Sequence, residues 1–208
     1  MTIQTWWIYL GTVLLLMSTP GPSQLLMMSV SMKNGFRRSL ATAVGDLSAN
    51  VIQMMLAGFG LATLLLASEY GFAIVKWCGV AYLVWLGCKH IVSSFSLAES
   101  VSQAPIASLR KLWFSGFITS AANPKAVIFF AALFPQFIEQ QSPLLPQILI
   151  LGATYILIDG LFLSFYGKSA SWLAGKINAA GRLWVDRIAG TGLIAAAVLL
   201  GFKSNKLT

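Results

Sequence analysis

WWIYLGTVLLLMSTPGPSQLLMMSVSM, residues 6–32, is an uncharged and largely apolar run. A bilayer-spanning helix needs about 20 such residues, so this segment is long enough to cross a membrane. Near its middle stands Pro20-Gly21-Pro22. Each proline removes a backbone donor and clashes with the turn before it, so two prolines around a glycine break the helix rather than bend it. In hydrocarbon the freed amides and carbonyls need partners, and the break must therefore face protein or a water-filled cavity. The helix that restarts after the break turns its free amides and positive dipole end toward an anion.

The rest of the chain fits a lipid environment. Of 208 residues, 57% are apolar and only 10% are charged, with a mean hydropathy of +0.78. A soluble domain carries about 25% charged residues. Further apolar runs fall at Ser39–Ala67, Gly71–Phe95, Trp113–Ile138, Pro146–Gly167 and about Leu183–Phe202, which makes six spans in one transmembrane domain. Trp6, Trp7, Tyr70, Trp113 and Trp184 mark several of the ends, as expected at headgroup level. The start of the chain lacks a basic cluster, and the first apolar run continues past any plausible cleavage point, so a removable signal peptide is not expected. Cys78 and Cys88 lie in one apolar segment and form no disulfide or metal-site spacing.

Charge sets the direction. The first loop holds Lys33, Arg37 and Arg38; the third holds Lys89, Arg110 and Lys111; the fifth holds Lys168, Lys176, Arg182 and Arg187. Opposite them stand only Lys203 and Lys206 in the tail, while Lys76 and Lys125 fall inside spans. This bias places the odd-numbered loops in the cytoplasm and both termini outside. It also accounts for the net charge of +8 without nucleic acid.

Three spans followed by three spans enter from opposite faces. If the halves are related, the expected architecture is a pair of inverted three-helix repeats, about 1–95 and 113–208, joined by a cytoplasmic loop at about 96–112. That is a transporter plan. The second half carries its own break at Ser120-Ala121-Ala122-Asn123-Pro124-Lys125, where Asn suits an N-cap and Pro the first helical position. Pro20 lies 14 residues after Trp6 and Pro124 lies 11 after Trp113, so both halves break at corresponding depth. Paired interruptions of this kind point to a binding site near the bilayer midplane.

Several polar residues cluster around the two breaks. Ser115, Thr119 and Asn123 recur at four-residue spacing on one face. Lys125 lies too deep to snorkel with ease, and a lysine there costs roughly 2.5–3.5 kcal/mol on insertion scales, so it needs a partner or water. Asp46 and Asp159 are intramembrane acids. Asp46 shares a face with Asn50 and Gln53, extended by Thr42, and Asp159 with Tyr155 and Tyr166. A carboxyl group in a low-dielectric setting can take up and release a proton near neutral pH. Two roles are open for the acids, proton coupling with substrate binding or a fixed structural pair with Lys125. Lys76 and His90 read as interfacial, and Gly79, Tyr82, Leu86 and Gly87 as a packing face. The chain carries no phosphate-binding loop, zinc spacing or nucleophile elbow, so neither an enzyme nor a cofactor is expected.

Three motifs in order resemble one family. They are Ser18-Thr19-Pro20-Gly21-Pro22, then Lys76-Trp77-Cys78-Gly79-Val80-Ala81-Tyr82-Leu83-Val84-Trp85-Leu86-Gly87, then Asn123-Pro124-Lys125 followed by Phe134-Pro135-Gln136-Phe137. Together they are similar to the LysE-type amino-acid exporters, in particular the RhtB (homoserine/threonine resistance) branch, over nearly the whole chain. The resemblance implies a bacterial inner-membrane protein that exports amino acids or close derivatives, driven by the proton gradient. It places the broken-helix positions on Pro20, Gly21, Pro22, Asn123, Pro124 and Lys125.

The substrate site expected from these readings comprises Pro20, Gly21, Pro22, Ser23, Asn50, Asn123, Pro124 and Lys125, with Asp46 and Asp159 as the proton-coupling groups. A substrate carboxylate would meet the half-helix starts at Pro22 and Pro124, and its ammonium an aspartate. The partners are then an amino acid, a proton and the bilayer, and the Gly- and Ala-rich faces are compatible with a homodimer. Two other classes carry over as alternatives, a cation or metal exporter of similar architecture and a non-transporting membrane scaffold. Lys125 counts against the first, and matched helix breaks with buried charge against the second.

Overall fold

The computed structural model describes residues 1–59, 69–95, 107–139, 141–176 and 179–202. All regular structure among them is helical. The first span is two helices, α1 (Ile3–Ser18) and α2 (Pro22–Asn34), bent by 53° across the break. Pro20 forces Thr19 into an extended conformation (φ −88°, ψ 118°), because the residue before a proline avoids the helical region. Pro22 then fits the first position of α2, where its missing N–H costs nothing. At the far end of α2 the chain reverses without a loop. Gly35 adopts φ +78°, its amide donates to the Ser31 carbonyl at 2.9 Å, and α3 (Phe36–Gly58) begins at the next residue. Only glycine takes that φ without strain.

After α4 (Glu69–Phe95), the fourth span repeats the broken design. Helix α5 (Leu109–Ala121) stops at Ala122, and α6 (Pro124–Ile128) restarts behind Asn123. It runs on as a π-helical turn (Phe129–Leu133) and a 3-10 turn (Phe134–Phe137), and the two parts of the span meet at 49°. Helix α7 (Leu144–Ala174) is unbroken over 31 residues, about 46 Å at 1.5 Å per residue. Helix α8 (Ala179–Phe202) closes the described chain. By length and apolarity two described helices, α3 and α7, can each cross a membrane alone, and the two bent pairs bring the count to four. Helices α4 and α8, at 27 and 24 residues, have the length as well. Helix α7 outruns its expected end at Gly167, because Lys168 stays exposed while Ala170 and Ala174 pack on Met32.

Glycines set the closest helix contacts. A Cβ at Gly45 of α3 would strike the Trp113 carbonyl of α5, and one at Gly116 of α5 would strike the Thr42 carbonyl of α3. Small residues let membrane helices approach backbone to backbone in this way. Gly87 and Gly190 do the same for α4 and α8, each Cβ position lying 2.7 Å from the other's carbonyl oxygen. These approaches also fix directions. Arg38 meets Ala107 just before α5, Gly45 meets Trp113 and Phe117, and Asn50 and Gln53 meet Ser120, so α3 and α5 run parallel. Leu47, Met54 and Gly58 meet Gly160, Gly152 and Ile148, so α3 and α7 are antiparallel. Gly87 meets Ile194, and Ile91 meets Gly190, which makes α4 and α8 antiparallel too.

The lipid face is plain on α7. Leu149, Leu157, Leu161, Phe165 and Trp172 are from 62% to 69% exposed, while Tyr155, Asp159 and Leu163 on the opposite side are buried. His90 departs from its interfacial reading. It is buried, with Nδ1 3.2 Å from the Ser29 hydroxyl of α2, because the close α4–α8 contact carries it inward. Cys88 is exposed as a free thiol. The side chains of Lys76, Cys78 and Gly79 lie outside the described residues.

Candidate functional site

The two breaks meet. Asn123, the N-cap of α6, donates from Nδ2 to the Ser23 hydroxyl at the start of α2 (3.1 Å), so the two restarted helices are joined through side chains at their first turns. Each start is also capped from within. Asn123 Oδ1 accepts from the Lys125 amide (3.0 Å), and Gln24 Oε1 accepts from the Gly21 amide (2.9 Å). Side-chain caps of this kind satisfy donors that hydrocarbon would leave unpaired.

Helices α3 and α7 bring their acids to the same point. Asn50 Nδ2 donates to Asp46 Oδ2 at 2.9 Å and to Asp159 Oδ2 at 2.8 Å. Ser120 of α5 in turn donates to Asn50 Oδ1 at 2.9 Å. The Ser23 and Ser120 hydroxyls also lie against Asp46, and the two carboxyl groups themselves are within hydrogen-bonding reach. Both aspartates and Asn50 are buried. Two carboxylates at this separation and away from water would repel each other strongly if both were charged.

Lys125 pairs with neither acid. Its ammonium donates to the carbonyls of Leu16 (2.7 Å) and Thr19 (2.6 Å), which end α1. Breaking α1 at Pro20 leaves last-turn carbonyls without donors, and the negative end of the helix dipole sits there. The cation satisfies both. A fixed ion pair with Asp46 or Asp159 is thereby ruled out as the partner of Lys125 in this conformation.

Between these groups lies a small cavity lined by Met17, Ser23, Gln24, Asp46, Asn50, Ser120, Asn123, Lys125, Ala126, Tyr155 and Asp159. The void is about 10 Å³, at the lower limit for a single water molecule. Tyr155 lines it, and the rings of Phe129, Phe130, Phe134 and Tyr9 pack behind Tyr155. A void of this size does not hold an amino acid.

Of the residues expected at the site, Ser23, Asp46, Asn50, Asn123, Lys125 and Asp159 line the cavity. Pro20, Gly21, Pro22 and Pro124 shape the breaks without lining it, although a Cβ on Gly21 would lie 3.7 Å from Lys125 Nζ. Tyr155 follows from its four-residue spacing to Asp159 on one face of α7, whereas nothing in the spacing of Ser120 assigns it to the site. Gln24 could have been found from its place three residues after the helix start. Met17 and Ala126 carry no signal that separates them from other apolar positions.

Apolar helices interrupted within the membrane around a buried, charged cavity define a multi-pass membrane transport protein. The profile of the LysE type translocator family matches residues 14–204, and the chain belongs to that family. It is therefore a transporter rather than an enzyme. Over 184 residues it is 36% identical to the homoserine/homoserine lactone efflux protein of Salmonella typhimurium, covering 84% of this chain and 86% of the relative. The protein of the same name from Salmonella typhi is equally similar. A protein of Vibrio cholerae named only as an uncharacterized membrane protein is 32% identical over 183 residues, with 86% of each chain covered. No solved structure matches.

Proposed function

We propose that this protein exports small neutral amino acids of the homoserine type across the bacterial inner membrane in exchange for protons. The observation that carries this reading is the convergence of both helix breaks on one cluster, with the Asp46–Asn50–Asp159 acids on one side and Lys125 on the other. An amino acid has an ammonium group for the acids and a carboxylate for Lys125 and the free amides starting α2. The names of the Salmonella relatives narrow this chemistry. Homoserine and its lactone share the ammonium and the four-carbon skeleton, but only homoserine has a free carboxylate. The acid pair is thus the common recognition element, and Lys125 adds affinity for the open acid.

Two inverted triplets, α1 to α4 and α5 to α8, form the moving parts. The antiparallel α3–α7 and α4–α8 contacts support that arrangement, and the Lys/Arg bias supports cytoplasmic odd-numbered loops with periplasmic termini. The cycle is alternating access. Substrate entering from the cytoplasm places its ammonium against the acid pair and displaces the proton. After release outside, the empty pair takes up a proton and carries it inward. Each proton moving inward gains about 2.3 kcal/mol per 100 mV of membrane potential.

Counterflow in proteoliposomes against a panel of labelled amino acids tests the substrate class. Homoserine and homoserine lactone are expected to exchange, and Lys125→Gln to weaken homoserine more than the lactone. A panel in which no amino compound exchanges, while a divalent cation does, overturns the reading.

A further inference from the structure

Helix α3 carries a polar column that continues past the cavity. Ser39, Thr42, Asp46 and Asn50 follow at intervals of three or four residues, which stacks them on one face, and all are buried. The column is hydrogen-bonded above and below Thr42. Asp46 accepts from Asn50, while Ser39 donates to the Phe36 carbonyl (2.7 Å) and accepts from the Ser31 hydroxyl of α2 (2.6 Å). Ser39 and Ser31 sit close to the α2–α3 turn that bears Lys33, Arg37 and Arg38.

Thr42 stands between the two groups with its hydroxyl unpartnered at 2% exposure. This is not the usual state of a hydroxyl in these helices. Thr12, Ser18, Ser48, Thr154 and Thr191 each donate to the carbonyl four residues back. The same bond is open to Thr42 and is not made. A buried donor is rarely left unused without a reason. At this level the Thr42 and Trp113 carbonyls also abut the facing glycines of α5 and α3, so the two helices meet backbone to backbone.

We propose that the Thr42 hydroxyl relays protons between the Asp46–Asp159 pair and the cytoplasmic end of α3, through Ser39 and Ser31. The carboxyl pair gives a proton to Thr42 Oγ1 as Thr42 passes its own to Ser39 Oγ. Ser39 passes one to Ser31, which is itself buried and releases one when water at the α2–α3 turn reaches it. Each hydroxyl gains and loses one proton, no other bond changes, and one proton moves inward per pass. A helical threonine has two accessible χ1 wells, and the relay requires that rotation between them bring the hydroxyl, unpartnered in this conformation, to each neighbour in turn.

The inference rests on the proton-exchange reading, and the test separates the two. Full-length protein is reconstituted with pyranine in the lumen, and labelled homoserine is used to measure both counterflow, which needs no net proton movement, and homoserine-driven proton flux. In Thr42→Val, counterflow is expected within about twofold of wild type, while proton flux falls about a hundredfold, the lower end for loss of a positioned proton-transfer group. Thr42→Ser is expected to restore flux, and Ser39→Ala to reduce it. Wild-type proton flux in Thr42→Val overturns the relay and leaves the exchange reading intact. Equal loss of counterflow and flux, unrescued by Thr42→Ser, overturns it in favour of a packing role. Homoserine exchange with no proton flux in the wild type overturns the exchange reading, and the relay with it.

Discussion

Asn50 holds the site together at the scale of single side chains. One amide nitrogen serves both carboxyls, and its oxygen is satisfied by Ser120. Asn50→Leu keeps the volume and removes every one of those bonds. Each buried group left unpaired costs about 1–3 kcal/mol, so the variant is expected to melt earlier in detergent and to lose homoserine exchange. Unaltered melting and exchange would show that the acids need no common donor. Lys125 gives a second prediction. Lys125→Met takes the donor from the Thr19 carbonyl, while Leu16 keeps the Thr19 hydroxyl, a loss of at most about 1–3 kcal/mol, whereas Lys125→Arg keeps a donor. Thermal unfolding should therefore rank wild type and Arg well above Met. The identity of the buried charges was legible in the sequence, since an aspartate or lysine inside an apolar run stands out at once. Their partners were not. Helix rotation decides that Lys125 turns to α1 rather than to an acid, and no spacing along one helix reports the rotation of another.

Helices add the next level. The broken spans were readable because proline acts locally, through its own missing N–H and its clash with the preceding turn. Pro20→Ala with Pro22→Ala is expected to straighten the 53° bend and impair transport more than membrane expression. Wild-type flux in that double variant would reduce the break to a kink. The glycine contacts were less readable. Gly87 stands on a face whose composition suggests packing, but nothing along the chain distinguishes Gly45 and Gly116 from Gly11. The structure does. A Cβ at Gly45 meets the α5 backbone, while one at Gly11 meets nothing within 4 Å. Gly45→Ala is thus expected to destabilise the protein, since backbone cannot give way as a side chain can. Gly11→Ala should be neutral or stabilising by up to about 1 kcal/mol from helix propensity. Similar melting temperatures for the two variants would contradict the α3–α5 packing.

For the molecule as a whole, the helical membrane class was legible from residue counts, because lipid imposes the same length and apolarity on every span, and the Lys/Arg bias supplies the proposed orientation. The proposed topology is testable with an impermeant maleimide in a background lacking Cys78 and Cys88. A cysteine at Gln141 should label in intact spheroplasts, and one at Lys33 only after permeabilisation; the reverse pattern would invert the molecule. The small size of the void, about 10 Å³, was not legible, as it depends on how side chains from separate helices pack around it. A cavity that small must open for an amino acid to pass, and in the proposed mechanism the acid pair ties that opening to protons. An imposed pH gradient across proteoliposomes, with labelled homoserine followed over time, measures this coupling. Wild-type vesicles are expected to accumulate homoserine against its own gradient, and Asp159→Asn vesicles only to equilibrate it. Accumulation by Asp159→Asn at the wild-type level would contradict the coupling of transport to protons through the buried acids.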